Sequence, residues 1–335
     1  MKALVYTDVE QLAYGDVPDP RPRDEEVLVK VMASGICGSD MHAFLGHDER
    51  RPAPLILGHE AAGLVASGVD TGRRVTVNPL VTCGVCDVCC DGRTNLCATR
   101  QIISMQPREG AFAEYISMPT RNLITVPDHV PLAKAALAEP LACGWHGVRL
   151  AEEALSTPMA AARCIVIGGG AIGVGAALAL RAFGASDVTL IEPNEIRRAH
   201  LNPLVEFACA APGDPAIPAK GSADIVIDAV GYAVTRADAC AYARAGGAIV
   251  HIGLGEATGG LDIRRLTLQE IRFIGTYTYT ATDFEATAAA IFSGALGTLD
   301  WIEQRPLADG QAAFADIRGG RVAAAKTILI PAHEE

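Results

Sequence analysis

The sequence lacks any run of apolar residues able to cross a bilayer. The stretch that invites the comparison, residues 164–180, is 17 residues without a charge, rich in glycine and bounded by Arg163 and Arg181. A spanning helix needs roughly 20 apolar residues, and internal glycines suit a strand, a turn and a helix better than one continuous helix. Positive charge is also short: 28 Lys and Arg against 39 Asp and Glu leave a formal net charge of −11. Such a surface repels nucleic acid and anionic membrane, so neither is an expected partner and a small molecule is. The opening Met1-Lys2-Ala3-Leu4 has no secretory pattern; a cytoplasmic chain is expected, with thiols in place of disulfides. Repeats and low-complexity segments are missing too. What remains is an ordinary globular composition, 335 residues with 50% apolar and 20% charged and a mean hydropathy of +0.24. One large or two medium domains fit it.

The first third reads as β-rich. Residues 2–6, 27–31, 58–65 and 74–77 are short apolar or alternating runs, and the Pro-rich segment 17–23 separates the first two. Over residues 127–142 the pattern becomes Ala- and Leu-rich and helical, and from Arg163 onward strands and helices alternate. Residues 165–167, 188–191, 224–228 and 248–252 are β-branched runs of the kind buried in parallel sheets. This alternation implies an α/β fold with a doubly wound sheet. An Ala-rich helix over 283–292 and a strand over 326–330 close the chain, the strand being free to return to the first domain.

Gly168-Gly169-Gly170-Ala171-Ile172-Gly173 has the form G-x-G-x-x-G, directly after the strand 164–167 and at the start of an apolar helix over 171–183. Glu192 ends the next strand, 19 residues past Gly173. This is the context that makes the motif a dinucleotide fingerprint: Gly168 permits a tight turn, Gly170 lets backbone approach pyrophosphate, and Gly173 packs helix on strand. The phosphates then sit at the helix N-terminus, against Gly170, Ala171 and Ile172. Glu192 is suited to the adenosine ribose hydroxyls, which favours NAD over NADP. Arg197 and Arg198 lie close behind; either they are helix-surface charges or one of them accommodates a 2′-phosphate.

Ten cysteines stand out in a chain expected to form no disulfides. Cys83, Cys86, Cys89 and Cys97 fall in a turn-rich segment with Gly84, Asp87, Asp91, Gly92 and Asn95. Four thiolates at this spacing can close a tetrahedron on Zn²⁺ and leave no open position, which describes a structural zinc. An iron–sulfur run would place its fourth cysteine nearer and before proline, and here Ala98 follows. A second constellation is dispersed: Cys37-Gly38-Ser39-Asp40-Met41-His42, then Gly58-His59-Glu60-Ala61-Ala62-Gly63, then Glu139-Pro140-Leu141. Singly, Cys37 reads as a small buried hydrophobe and His59 as a core histidine.

Together, in this order and at these spacings, the Cys37–His42 box, the Gly58–Gly63 box, the four-cysteine lobe and the glycine fingerprint resemble the zinc-dependent medium-chain dehydrogenase/reductase family, across essentially the whole chain. The resemblance implies a GroES-like β-rich catalytic domain over 1–146, with a structural zinc lobe at 78–100. It also implies a Rossmann NAD-binding domain over 147–277 and a return to the catalytic domain over 278–335. Two Zn²⁺ per subunit follow from it, one structural and one catalytic. Cys37 and His59 match catalytic zinc ligands, and Glu139 matches the third ligand position, where ordinary alcohol dehydrogenases have cysteine. Glu60 matches a glutamate that ligates in some members and lies behind the metal in others, and Asp40 the carboxylate that orients the ligand imidazole. Ser39 matches the hydroxyl that contacts the substrate oxygen. His42 matches the imidazole that relays its proton to solvent, with a surface histidine as the plain alternative. Lys326 falls near a basic position facing the cofactor phosphates, or is a surface lysine.

The implied chemistry is reversible hydride transfer from a secondary alcohol to NAD. Glutamate at position 139 is similar to polyol, threonine and galactitol-phosphate dehydrogenases, so a polyol or sugar alcohol leads, with an amino alcohol such as threonine or a sugar-alcohol phosphate next. A non-catalytic nucleotide-binding regulator is the reading from another class, and it needs none of Cys37, Ser39, His42 and His59. Departures from the family pattern appear at Gly72-Arg73-Arg74-Val75, and in the compressed segment 198–224, where a strand–helix unit is expected to be trimmed. At 274–279 the Phe-Arg-Tyr run of sorbitol dehydrogenases loses its Arg, which argues against sorbitol itself. That segment also lies near the subunit contact in many members, implying a homodimer or homotetramer. Cys143, four residues after Glu139, is expected to face the nicotinamide pocket, while Cys90, Cys164, Cys209 and Cys240 have no assigned role.

Overall fold

A computed structural model describes residues 1–333. The N-terminal part begins with β1 (Lys2–Asp8), β2 (Gln11–Asp16), β3 (Glu26–Gly35), α1 (Gly38–Phe44), β4 (Leu55–Ile56), β5 (Glu60–Val65) and β6 (Arg74–Val77). A lobe follows with β7 (Leu80–Val81), α2 (Asp87–Cys90) and β8 (Gln101–Ile102), and then β9 (Tyr115–Pro119), β10 (Leu123–Thr125), α3 (Leu132–Ala135) and α4 (Ala138–Ala154). The nucleotide-type part runs β11 (Arg163–Ile167), α5 (Ala171–Ala182), β12 (Asp187–Ile191), α6 (Glu195–Leu201), β13 (Ala208–Ala210), β14 (Ala223–Asp228), α7 (Ala233–Tyr242), β15 (Ala243–His251), α8 (Ile263–Leu268) and β16 (Arg272–Gly275). The chain ends with α9 (Ala281–Phe292), β17 (Ile302–Pro306), α10 (Gly310–Arg318) and β18 (Lys326–Ile330).

The strands β11 to β16 form one parallel sheet in the order β13-β12-β11-β14-β15-β16. This is the doubly wound order with its switch point between β11 and β14, where ligands bind at the carboxyl ends of the strands. All six residues of β14 are buried, as a strand covered by helices on both faces requires. The expected trimming is real but differently placed. Strand β13 is present and pairs with β12, and it is the helix between β13 and β14 that is missing, residues 211–222 forming a loop instead. Three residues of strand need only a short crossover to be covered, and the Pro- and Gly-rich segment has no helix-forming run to supply more.

The other large sheet, β10-β6-β5-β3-β18-β17 with β9 also on β3, joins the N-terminal strands to the last two of the chain. Lys326–Ile330 therefore does return to the first part, pairing Ile328 with Gly35 and Leu329 with Ser34. A β2-β1-β4 sheet lies beside it over a core in which Phe314 packs on Phe44 and Phe112, with ring centroids 5.1 and 6.1 Å apart.

Helix α4 runs without a break through the expected domain boundary at 146/147. Its Pro140 lies in the first turn, where no intrahelical N–H is lost. It packs closely on α5: a Cβ at Gly144 would sit 2.5 Å from the Ala176 nitrogen, and one at Gly175 2.7 Å from Leu141. The opposite partner is α9, joined through Asp283 to His146 and Arg149. No helix among the described residues is long and apolar enough to cross a membrane.

Candidate metal centres and nucleotide site

Three neighbouring strands assemble the first centre. Gly35 near the end of β3 is paired with Glu60 at the start of β5, and β18 begins beside them at Lys326. Cys37 follows β3 and caps α1. The ligand atoms of Cys37, His59 and Glu60 lie within 4.8 Å of one another. Gly35 makes room for the carboxylate, since a Cβ there would lie 2.0 Å from Glu60 Oε2. That oxygen is buried with no hydrogen-bond partner, although an unpaired buried carboxylate oxygen is costly. Thiol, imidazole and an unpartnered carboxylate oxygen converging in one buried place fit a zinc ion by donor chemistry.

Asp40 stands behind the imidazole, its Oδ1 3.4 Å from His59 Nδ1, and accepts from the backbone nitrogens of Cys37 and Gly58. Burial opposes its ionisation, but His59 and Arg51 hold the carboxyl below the usual carboxylate range. Glu139, in the first turn of α4, is engaged otherwise: its Oε1 accepts from the Tyr279 hydroxyl at 2.8 Å. Burial raises this carboxyl to about 7, against the charge of His59 and with that of Glu60. So the converged set is Cys37, His59 and Glu60, with Glu139 close enough to share their charge while held on Tyr279. Cys143 is half-buried, with its thiol pushed well up, first by desolvation and then by the charges of Glu139 and Cys37.

Lys326 is found elsewhere than expected. Its Nζ donates to Glu60 Oε1 at 2.6 Å and to the Ile36 carbonyl at 2.7 Å, and both side chains are buried. The ammonium neutralises Glu60, because β18 starts beside β5 across β3. Ser39 and His42 are half-buried on α1, one turn from Cys37.

The second centre is local. Strands β7 and β8 pair and close the loop between them, and α2 follows directly on Cys86 and carries Cys89. The sulfurs of Cys83, Cys86, Cys89 and Cys97 lie within 4.8 Å of one another, Cys83 being 3.6 Å from Cys97 and 3.9 Å from Cys89. Backbone N–H groups of Val85 and Cys86 lower the Cys83 thiol, and that of Cys83 brings Cys97 down to about 6. Cys86 goes the other way, to about 12: the Cys89 N–H lowers it, but the neighbouring sulfurs of Cys83 and Cys89 hold its proton. Four converged sulfurs, two of them with lowered thiol pKa, suit a closed zinc site. Cys90 is exposed and outside this set.

At the nucleotide site β11 runs into Gly168, at φ +105°, a conformation glycine takes without strain. A Cβ at Gly173 would lie 1.8 Å from the Gly168 carbonyl oxygen, so helix and turn touch through glycine alone. Gly170, by contrast, faces open space, with nothing within 4 Å of a Cβ built there. It caps α5 without any side-chain partner, leaving the N–H groups of Ala171, Ile172 and Gly173 for a phosphate. Glu192 spans the ends of β11 and β12: Oε2 accepts from Gly169 N and Oε1 from Asn194 N, each at 2.7 Å. Each oxygen keeps a second lone pair for a ribose hydroxyl. Arg197 Nη1 is 3.8 Å from Glu192 and its Nε is buried without a partner, while Arg198 is committed to the carbonyls of Glu192 and Pro193.

Sequence reasoning did not single out Arg51, Ser104 or the contact between Tyr279 and Glu139. Tyr279 lay in a segment already marked for substrate hydroxyls, whereas Ser104, whose Oγ lies 3.3 Å from His59 Nδ1, gives no sequence signal. A three-ligand and a four-ligand candidate metal centre, together with a dinucleotide-type turn, are the parts of a metal-assisted, nucleotide-dependent oxidoreductase. Residues 23–128 match the alcohol dehydrogenase GroES-like domain and residues 171–293 the zinc-binding dehydrogenase family. The chain is 32% identical to sorbitol dehydrogenase of Bacillus subtilis (strain 168), over 84% of this chain and 83% of that protein. It is 31% identical to L-galactonate-5-dehydrogenase of Escherichia coli (strain K12), over 88% of each. A zinc-binding dehydrogenase from Sinorhizobium meliloti 1021, solved with NADP, superposes with a TM-score of 0.86 at 29% identity, covering 98% of this chain and 99% of that one. The protein belongs to the zinc-type medium-chain dehydrogenases, and it is an NAD(P)-dependent oxidoreductase with zinc as cofactor. The regulator reading is set aside.

Proposed function

We propose that the protein transfers a hydride between a secondary alcohol of polyol or sugar-alcohol type and NAD(H). The observation that carries this is the convergence of Cys37, His59 and Glu60 beside the Glu139–Tyr279 pair. Cys37 and His59 would hold the catalytic zinc with Glu60 or Glu139, and Cys83, Cys86, Cys89 and Cys97 the structural one. When bound, zinc supplies Lewis acidity toward the substrate oxygen and the nicotinamide supplies the hydride acceptor. The chain's own residues do the rest. Ser39 hydrogen-bonds the substrate hydroxyl, and His42 takes up its proton and passes it to solvent. Asp40 helps to orient the His59 ring. Lys326 balances the charge of Glu60, so that a neutral substrate meets fewer uncompensated anions. Carboxylate and phenol at Glu139 and Tyr279 suit further hydroxyls on the substrate, in keeping with relatives named for polyhydroxylated substrates.

Glu192 is the basis for preferring NAD, because its carboxylate repels a 2′-phosphate. The working division is a catalytic part over 1–146 and 278–335, with the nucleotide part over 147–277. A reducing cytoplasm suits ten unpaired thiols. A homodimer or homotetramer is supported by the free edge of β16 and the exposed Leu254, Ile263, Leu268 and Phe273 around it. The test is NAD⁺ reduction followed spectrophotometrically against pentitols, hexitols, their phosphates, threonine and simple alcohols, with and without a chelator. Chelator-sensitive turnover of a polyol is expected; a zinc-loaded protein inactive on every polyol would refute the proposal.

A further inference from the structure

We infer that Ser104 is a positioning residue for the metal ligand His59, fixed in place by the buried guanidinium of Arg51. The inference rests on reading Cys37 and His59 as a zinc centre. Ser104 is fully buried and holds φ +71°. Glycine takes this left-handed backbone freely and serine does not, so a side chain kept here in spite of the strain points to a function for that side chain. Its Oγ lies 3.3 Å from His59 Nδ1. Asp40 Oδ1 is 3.4 Å from the same nitrogen and is shared with the Gly58 N–H at 3.2 Å. Neither contact alone is short enough to hold the ring. With both oxygens within reach, Nδ1–H has two acceptors to share, and the ring is pinned with Nε2 left for the metal.

Arg51 supplies the clamp. It is 2% exposed, donates through Nε to the Ser104 carbonyl at 3.0 Å, and reaches the Ser104 hydroxyl with Nη2 at 3.5 Å. Its Nη1 pairs with Asp48 at 2.8 Å and donates to the Ser39 carbonyl at 3.3 Å. One guanidinium therefore ties the backbone of the substrate-facing Ser39 to the loop that touches the ligand imidazole. That loop follows directly on β8, the strand that closes the cysteine lobe.

The test uses the zinc-loaded full-length chain with Ser104→Gly and Ser104→Ala. Zinc transfer to a competing chelator reads each centre, the cysteine lobe serving as internal reference, and cobalt substituted at the open centre reports ligand geometry by its visible absorption. Glycine relieves the left-handed strain while removing the hydroxyl, so Ser104→Gly is expected to melt no lower than wild type. It should nonetheless hold metal at the open centre about 10-fold more weakly or worse, with shifted cobalt bands. Ser104→Ala, which leaves the backbone constraint in place, should show the same metal loss. Wild-type metal affinity and an unchanged cobalt spectrum in either variant would overturn the role of Ser104. A wild-type chain that binds only the lobe zinc would overturn that role together with the zinc reading beneath it.

Discussion

Replacing Asp283 by asparagine should unlock the seam between α4 and α9. Asp283 is 2% exposed and accepts from His146 Nδ1 at 2.7 Å, Arg149 Nε at 2.8 Å and the Thr280 hydroxyl at 2.7 Å. It is also the third residue of the capping box that begins α9. Asparagine keeps the size and removes the charge, leaving amide hydrogens against donors that need an acceptor. Breaking a buried pair by removing one partner costs about 3–5 kcal/mol. Arg149 is one-third exposed and can rehydrate, so the lower end, about 3 kcal/mol, is expected; the cap is part of the same network and is not added again. Burial works against ionisation of Asp283, but the bonds from His146, Arg149 and Thr280 hold its carboxyl well below the usual value. A depressed pKa gives stability that is present above the unfolded carboxylate pKa of about 3.9 and is lost as pH falls through the folded one. Urea unfolding at pH 7 should show the full loss, and the gap between variant and wild type should narrow only below about pH 4. Equal midpoints at pH 7 would refute the reasoning. Because α4 carries Glu139 in its first turn, turnover should fall with stability.

The remaining predictions are as direct. Gly173→Ala places a methyl 1.8 Å from the Gly168 carbonyl; overpacking there costs about 1–3 kcal/mol and should weaken NAD⁺ binding measured by calorimetry by at least about 5-fold, while unchanged affinity would dismiss the tight-turn argument. Cys97→Ala should remove one equivalent of zinc and lower the melting temperature more than it lowers activity per folded chain; an unaltered melt and metal content would remove the structural role. Cys37→Ala should abolish turnover and leave most NAD⁺ binding, and normal rates in a preparation without metal at that centre would sink the zinc mechanism.

The cysteine lobe and the glycine fingerprint could be read directly because both are local. Cys83, Cys86, Cys89 and Cys97 are carried by one loop whose ends are tied by β7 and β8, and Gly168 to Gly173 lie on one turn, so spacing along the chain is already spacing in space. The open centre could be read only through its resemblance to a family, since Cys37, His59 and Glu139 are separated by up to about a hundred residues. Lys326 shows the limit: a basic residue on a terminal strand, it looks like surface or cofactor chemistry until β18 is paired with β3.

Sequence by itself determined the α/β alternation, the dinucleotide turn, the four-thiol site and the acid that follows β12. These follow from periodicity, backbone conformations open to glycine, and donor spacing within a loop. Tertiary structure alone decided that Glu60 joins Cys37 and His59 while Glu139 is held by Tyr279, that Lys326 neutralises Glu60, and that Arg51 and Ser104 brace the ligand imidazole. The reason is physical: each of these depends on which strands lie side by side and on one left-handed residue in a loop, and neither register across a sheet nor the backbone angle of a serine is written in the local pattern of residues.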